Sequence, residues 1–213
     1  MNVLVIGANG QIGGRLVKLL KQEGKHQVKA LVRKPEQAEE LKAAGIEPVL
    51  GNLEDRVEAL AEAMQGCDAI VFAAGSGGST GLDKTLLIDL DGAVKTMEAA
   101  EQAGVKRYVI VSAMQAHNRE NWSEEIKPYY AAKHYADRML ESTGLQYTIV
   151  RPGGLTNDPG TGRISAAENL EPGSISRDDV AAVIAALLED PNAYRRGFDL
   201  VAGDTPIHEA FGG

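Results

Sequence analysis

A short apolar stretch followed by three evenly spaced glycines opens the chain. Residues 2–6 read as a buried strand, and Gly7, Gly10 and Gly13 come next. From Gln11 onward, apolar residues recur at helical spacing. A strand, a glycine turn and a helix in this order predict a phosphate cradle, because glycine lets the backbone approach a pyrophosphate and the helix N-terminus supplies free N–H groups. We therefore predict dinucleotide binding, although Gly-x-x-Gly-x-x-Gly differs from the commoner Gly-x-Gly-x-x-Gly.

Composition narrows the class of protein and its compartment. The 213 residues are 44% apolar and carry a formal net charge of −8, which fits one globular domain over residues 1–213. An acidic chain disfavours nucleic acid and membrane as partners, since both require basic patches. Cys67 is the only cysteine, so no intramolecular disulfide is expected. With no leader segment and no apolar stretch long enough to span a bilayer, the chain is predicted to be cytoplasmic.

Strands and helices alternate along the chain. The apolar patterns predict strands over residues 2–6, 27–32, 47–50, 68–72, 106–112, 146–151 and 198–201, and helices from residue 11 and over 35–44, 55–64, 83–103, 127–142 and 178–189. Such repeated units predict the α/β class, with a doubly wound parallel sheet covered on both faces. Residues 73–81 and 152–176 are predicted loops. Together with the C-terminal segment 202–213, the second loop is assigned to the substrate side.

Two basic residues follow the second predicted strand. Arg33 stands 20 residues after Gly13, and Lys34 follows it. A site for NAD would place Asp or Glu near this position, to accept from the ribose 2′-hydroxyl. Two cations instead suit a 2′-phosphate, and arginine can also stack on adenine. The phosphate interpretation predicts NADP rather than NAD, whereas the alternative is a pair of solvated charges at a strand end.

A tyrosine and a lysine lie four residues apart on one predicted helix. Tyr129 and Lys133 therefore face one side. Free tyrosine has a pKa of about 10, and a nearby ammonium favours the phenolate, which makes tyrosine a usable acid. Ser112, at the end of the preceding strand, is placed to bind a substrate carbonyl. The alternatives are an ordinary amphipathic surface, or Tyr130 as the acid, since Tyr130 stands three residues from Lys133.

These motifs together resemble a known superfamily. Residues 7–13 (Gly-Ala-Asn-Gly-Gln-Ile-Gly), the set Ser112, Tyr129 and Lys133, and residues 151–153 (Arg-Pro-Gly) resemble the short-chain dehydrogenase/reductase superfamily. More narrowly, the chain is similar to its atypical, NmrA-like NAD(P)-binding branch of small bacterial proteins often named epimerase/dehydratase. The resemblance covers nearly the whole chain and implies a single Rossmann-type domain.

The resemblance also implies which residues meet the cofactor. The glycine turn would hold the pyrophosphate, Arg33 the adenosine phosphate, and Tyr129 and Lys133 would act at the nicotinamide. Residues 52–53 would flank adenine, residues 73–75 would line the ribose and phosphates, and the backbone of 152–155 would meet the carboxamide. The full predicted cofactor site is Gly7, Asn9, Gly10, Gln11, Ile12, Gly13, Arg33, Lys34, Asn52, Leu53, Ala73, Ala74, Gly75, Ser112, Lys133, Pro152, Gly153, Gly154 and Leu155. No metal site is predicted, because the four histidines show no ligand spacing.

Three functions are compatible with these residues. The first is NADPH-dependent reduction of a small carbonyl or quinone-like substrate, which Ser112, Tyr129 and Lys133 favour. The second is an NADP-binding sensor that regulates a partner without turnover. The third is a sugar-nucleotide epimerase or dehydratase, although the chain lacks the long C-terminal region with which such enzymes hold their substrate. Trp122 either caps the nicotinamide pocket or packs, and the chain is expected to be a monomer or a homodimer.

Overall fold

The structure is a computed structural model that describes residues 1–77 and 81–211. Its strands are β1 (Asn2–Ile6), β2 (Gln27–Val32), β3 (Glu47–Leu50), β4 (Ala69–Phe72), β5 (Arg107–Val111), β6 (Gln146–Pro152), β7 (Gly154–Thr156), β8 (Arg163–Ala167), β9 (Ser174–Ser176), β10 (Arg196–Ala202) and β11 (Thr205–Pro206). Its α-helices are α1 (Gln11–Glu23), α2 (Pro35–Ala43), α3 (Val57–Ala63), α4 (Leu82–Lys84), α5 (Ala93–Gln102), α6 (Lys127–Glu141) and α7 (Arg177–Leu187). A π-helix, Thr85–Gly92, joins α4 to α5.

The order of the strands creates a crevice beside β1. The described residues form a nine-stranded sheet in the order β3-β2-β1-β4-β5-β6-β10-β8-β11. The seven strands from β3 to β10 in that order are parallel. The chain runs outward from β1 to β3 and then returns to place β4 on the other side of β1. The loops after β1 and β4 therefore diverge, and ligands of open α/β sheets bind at such a point.

Strand β1 shows why helices cover both faces of the sheet. Val3 and Val5 belong to an apolar cluster with residues of α1 and α7, whereas Leu4 and Ile6 belong to a second cluster with α3, α5 and α6. Because successive side chains of a strand point to opposite faces, a strand that is apolar throughout needs cover on both sides. The predicted doubly wound, Rossmann-type α/β fold is confirmed.

The region predicted as a loop over residues 152–176 contains strands, so that prediction was wrong. β7 pairs in parallel with β9, and β8 pairs antiparallel with β10. These strands are only three to five residues long and lie among Gly and Pro, so no local periodicity revealed them. The sheet is consequently not parallel throughout, because β8 and β11 add an antiparallel edge.

The predicted C-terminal segment 202–213 packs against the sheet over its described part. Phe211 is buried, and its ring centroid lies 5.1 Å from that of Phe198 in β10. Residues 78–80 of the predicted loop 73–81 and residues 212–213 of this segment lie outside the described residues. In the part of the chain that is described, no helix has both the length and the apolar character needed to cross a membrane.

Candidate cofactor and substrate cleft

The glycine turn after β1 is tight because backbone atoms meet there. Gly7 has a φ of +85°, a conformation that glycine adopts without strain. A Cβ on Gly7 would lie 2.6 Å from the backbone nitrogen of Ala74, just after β4, and a Cβ on Gly13 would collide with the carbonyl oxygen of Gly7. Side chains at these two positions would therefore push β1, β4 and α1 apart.

Helix α1 begins at this turn without a side-chain hydrogen bond from its N-cap residue. Gly10 is the N-cap residue and makes no side-chain cap, and its own amide donates to the carbonyl of Gly7 at 2.8 Å. The first N–H groups of an α-helix have no acceptor within the helix. These groups, with the positive end of the helix dipole, fit a pyrophosphate.

A cleft of about 1780 Å³ runs along the carboxyl ends of the parallel strands. Small-molecule sites commonly measure roughly 300–1,000 Å³, so this cleft has room for a dinucleotide and a second ligand. The predicted site residues that line it are Gly10, Gln11, Ile12, Ala73, Ala74, Gly75, Ser112, Tyr129, Lys133, Pro152, Gly153, Gly154 and Leu155. The segments 10–12, 73–75 and 152–155, together with Ser112 and helix α6, therefore converge on one cavity, as predicted from the sequence.

The two basic residues predicted to meet a 2′-phosphate lie beyond this cleft. Arg33 and Lys34 are exposed at the end of β2. The side-chain oxygen of Gln37 accepts from their backbone N–H groups at 3.2 and 3.1 Å, which holds the turn into α2. Within the described residues, neither side chain is in an ion pair. Both side chains are therefore available to an anion.

The residues predicted to flank adenine also lie outside the cleft. The side-chain oxygen of Asn52 accepts from the N–H of Glu54 at 3.1 Å, so one of its lone pairs is used in a local turn. Leu53 is buried and packs in the second apolar cluster. Asn9 is exposed in the glycine turn. The roles of Asn9, Asn52 and Leu53 at a cofactor stay predictions.

Lys133 of α6 is held beside the cleft by two oxygen atoms. Its Nζ donates to the carbonyl of Val111 at 3.2 Å and lies 3.4 Å from Oδ1 of Asp89, which is fully buried on the π-helix. Burial lowers the pKa of Lys133, but electrostatic interactions with Tyr129, Asp89 and Asp137 outweigh burial and raise the pKa above its ordinary value. The ammonium is therefore retained although only 3% of the residue is exposed.

The two candidate tyrosines have different surroundings. The Nζ of Lys133 lies 5.6 Å from the ring centroid of Tyr129. Tyr130 instead stacks on Trp122 with ring centroids 6.0 Å apart, and burial raises the pKa of its hydroxyl. Trp122 donates its indole N–H to the carbonyl of Ala116 at 3.1 Å and does not line the cleft, so of the two roles considered it packs.

Ser112 hydrogen-bonds to a buried carboxylate that belongs to none of the sequence motifs. The Ser112 hydroxyl donates to Oδ2 of Asp137 at 2.9 Å, and Nε of Arg151 donates to the same oxygen at 3.2 Å. Burial raises the pKa of Asp137 to about 6, although Arg151, Ser112 and Lys133 act against burial. Asp137 is four residues beyond Lys133 on α6, so helical spacing was the signal that could have revealed it.

A second buried carboxylate organises the far end of the cleft. Asp199 of β10 accepts from the backbone and side-chain N–H groups of Gln115 at 3.3 and 2.7 Å, and from the backbone of Leu170 at 3.2 Å. Gln115 has a φ of +61°, which is uncommon for a residue with a side chain. These bonds hold two loops of the cleft wall together, and no sequence motif indicated them.

The chain matches the model of a known family over residues 7–191, and that family is described as NAD(P)H-binding. The chain belongs to this family. The matched residues include the glycine turn, α6 and the strands β4, β5 and β6, whose carboxyl ends lie at the cleft. The family is thus one that binds a nicotinamide dinucleotide, and its description does not distinguish NAD from NADP.

Relatives within this family carry different names. A Bacillus subtilis protein named an uncharacterized sugar epimerase is 63% identical over 99% of this chain and 98% of its own length. A putative NAD-dependent epimerase/dehydratase from Bacillus halodurans has a solved structure, with 42% identity, a TM-score of 0.93, and coverage of 99% of this chain and 98% of that one. ChuY, an anaerobilin reductase from Escherichia coli O157:H7, is 26% identical with a TM-score of 0.84, covering 96% and 98% of the two chains. The proteins similar to this chain thus carry both epimerase/dehydratase and reductase names.

Proposed function

We propose that the protein is an NADPH-dependent oxidoreductase that reduces a small, uncharged carbonyl or quinone-like compound. The observation that carries this proposal is the meeting, in one cleft, of an uncapped phosphate-binding turn with Tyr129 beside the buried ammonium of Lys133. The glycine turn, residues 73–75 and the backbone of 152–155 would hold NADPH, with Arg33 and Lys34 at its 2′-phosphate. Bound there, the cofactor would supply the hydride.

Tyr129 is the proposed acid that gives a proton to the substrate oxygen. Both tyrosines line the cleft, but Tyr129 lies against Lys133, whereas Tyr130 is stacked on Trp122. When Tyr129 gives up its proton, the Lys133 ammonium stabilises the negative charge left on the phenolate. Asp89 and the carbonyl of Val111 keep this ammonium in position.

The charges of the cleft favour an uncharged substrate. Among the described lining residues, the only cations are Lys133 and Arg177, and Lys133 already contacts Asp89. Arg177 donates to Leu155 and Asn157. The part of the wall beyond the predicted cofactor residues instead carries Glu124, Glu125 and Glu171, together with apolar and aromatic side chains.

A sugar nucleotide would bring two further negative phosphate charges into this region. Phosphate recognition in proteins commonly uses arginine or lysine. Glu124 is paired with Lys127 at 2.7 Å, but Glu125 and Glu171 have no ion-pair partner among the described residues. This charge pattern weighs against the epimerase role, which the names of the 63% and 42% identical relatives favour.

Fluorescence titration with NADPH and NADH tests the cofactor, and a charge series of substrates tests the reaction. The series is 4-nitrobenzaldehyde, 4-(trimethylammonio)benzaldehyde and 4-carboxybenzaldehyde. These compounds share the benzaldehyde ring, and their para substituents are neutral, positively charged and negatively charged, respectively. We expect reduction of the neutral and cationic compounds, with a kcat/KM several-fold lower for the anion. The double variant Glu125→Gln, Glu171→Gln should narrow that difference, because exposed charges act by long-range attraction and repulsion.

Two results would redirect the assignment. Interconversion of UDP-glucose and UDP-galactose, with no aldehyde or quinone reduced, would establish the epimerase. Tight NADPH binding without turnover of any carbonyl in the panel would establish the sensor.

A further inference from the structure

A second, smaller pocket lies on the other side of Asp137 from Ser112. It has a volume of about 160 Å³ and is lined by His117, His134, Asp137, Arg138, Glu141 and Arg151. Three buried polar atoms of its lining residues have no hydrogen-bond partner among the described residues: Oδ1 of Asp137, Nε2 of His134 and Nδ1 of His117. Asp137 and His134 are 99% and 95% buried, so bulk water does not satisfy these atoms.

The unpaired atoms of this pocket are hydrogen-bond acceptors. Nδ1 of His134 lies 2.9 Å from the carbonyl oxygen of Ala116, so Nδ1 carries the hydrogen and Nε2 presents a lone pair. Burial lowers the pKa of His134, as do the charges of Arg119 and Arg138, so the ring is neutral at neutral pH. A buried acceptor without a donor is costly.

Asp137 therefore separates two cavities. Its Oδ2 accepts from Ser112, which lines the cleft. Asp137 itself lines the small pocket, and its Oδ1 has no hydrogen-bond partner among the described residues. With an ionised carboxylate, the Ser112 hydroxyl gives its hydrogen to Oδ2 and turns only lone pairs toward the cleft. A proton on Oδ1 would remove the negative charge from Oδ2, which weakens this bond and frees the hydroxyl to donate to a substrate carbonyl.

We propose that Asp137 is a positioning residue whose protonation decides whether Ser112 donates or accepts a hydrogen bond in the cleft. The proposal rests on the proposed function, since it concerns the serine next to the reacting carbonyl. Asp137 gains one proton from the solvent or returns it, and no covalent bond to the substrate is involved.

Burial and the charged groups around Asp137 place the protonation of its carboxylate near neutral pH. Burial raises the pKa of Asp137 to about 6, whereas Arg151 from β6, Ser112 and Lys133 lower it. Arg138 and Glu141 of α6 also line the pocket and carry opposite charges, and the neutral His134 faces it as an acceptor. Ser112 should therefore donate into the cleft mainly below about pH 6.

Carboxyl NMR tests the coupling without requiring turnover. In protein labelled with carboxyl-¹³C aspartate, we expect Asp137 to titrate near pH 6. Ser112→Ala removes a donor to Oδ2 and should raise this midpoint by about half a pH unit or more. Ser142→Ala, at the exposed end of α6, is the matched control and should leave the midpoint unchanged. A midpoint below pH 5, or a midpoint that Ser112→Ala leaves unchanged, overturns the proposal.

The pH profile of reduction tests the consequence for catalysis. With NADPH and 9,10-phenanthrenequinone as the probe, kcat/KM of the wild type should rise several-fold as pH falls through the Asp137 midpoint. Asp137→Asn and Ser112→Ala should each lack this rise. Asp137→Asn leaves Arg151 without its anion; if that variant does not fold, Ser112→Ala decides the result. If kcat/KM of Ser112→Ala still rises as pH falls, the proposal is overturned. If the Asp137 midpoint shifts in Ser112→Ala but the protein reduces no substrate, only the proposed reduction is refuted.

Discussion

Three residues of α6 act at one wall of the cleft because they are spaced four apart. Tyr129, Lys133 and Asp137 lie one above another along the helix. Tyr129 faces the cleft, Lys133 reaches Asp89 and Asp137 reaches Ser112. A single helical face therefore supplies the proposed acid, its supporting cation and the partner of the serine.

Arg33 is exposed, so its contribution to the choice between NADPH and NADH can be tested with one substitution. If its guanidinium binds the 2′-phosphate, Arg33→Asp should weaken NADPH binding by about 2 kcal/mol, roughly thirtyfold, through a lost charge-assisted hydrogen bond and a new repulsion. NADH affinity should change little. Fluorescence titration measures both, with Arg56→Asp, at another exposed arginine, as the control. Equal losses for the two cofactors would show that Arg33 contacts the adenine or supports the fold.

The two tyrosines can be separated by removing one hydroxyl at a time. Tyr129→Phe should keep NADPH affinity but reduce turnover by about 10²–10⁴-fold, which is the usual contribution of general acid catalysis. Tyr130→Phe should retain most of the activity, because its ring packs on Trp122. Steady-state kinetics on the same carbonyl substrate compares them. Loss of activity in Tyr130→Phe alone would assign the acid to Tyr130.

At the scale of elements, the cofactor end and the substrate end of the cleft are built differently. The cofactor end consists of strand ends and the N-terminus of α1, held by contacts between backbone atoms. The substrate end consists of loops joined by side chains, as in the bonds of Asp199 to Gln115 and Leu170. A backbone-built site accepts little change, whereas loops held by side chains allow the substrate to differ among relatives.

Gly10 offers a test of the turn that leaves the fold intact. Its φ of −74° suits any residue, and an added Cβ would lie 3.1 Å from the carbonyl oxygen of Gly7. Gly10→Ala requires a small shift of this carbonyl and should therefore lower the melting temperature only slightly, but it should bind NADPH at least tenfold more weakly, because the methyl group occupies the approach of the phosphates. Gly14→Ala, whose Cβ would lie 3.2 Å from the oxygen of Ala8, is the control outside the cleft. Unchanged affinity in Gly10→Ala would remove the turn from the site.

At the scale of the whole molecule, most of the core lies away from the cleft. The two apolar clusters lie on opposite faces of the sheet, while the cleft lies at its carboxyl edge and shares Ile12 and Val111 with the first cluster. A core substitution that does not line the cleft can therefore change stability without changing the cleft.

The packing of Phe211 tests this separation. Phe211→Ala removes a buried ring that contacts Phe198 and should lower the free energy of unfolding by about 3 kcal/mol. Leu50→Ala, at a residue 58% exposed, should cost less than about 1 kcal/mol. Urea unfolding measures both variants, and NADPH affinity should stay at the wild-type value in each. A loss of affinity in Phe211→Ala would mean that the C-terminal segment helps to shape the cleft.

Local patterns in the sequence determined the elements that build the cofactor end. The predicted bounds of β1, β2 and β3 agree with the structure, and the predicted start of α1 at residue 11 also agrees. Periodicity reports which face of a segment is buried, and glycine and proline report where it ends. For this reason the fold class, the glycine turn and the pairing of Tyr129 with Lys133 were all predictable without tertiary information.

Only the tertiary structure decided which distant residues meet. The pairing of β7 with β9, the Ser112–Asp137–Arg151 contacts and the Asp199–Gln115 contacts join segments separated by up to 84 residues. Such contacts depend on how the strands and helices pack together, and no local sequence pattern marks them. A carboxylate at position 137 or 199 therefore looks like any other charged residue in the sequence. Folding buries these carboxylates, and burial without bulk water makes their few hydrogen-bond partners decisive for the site.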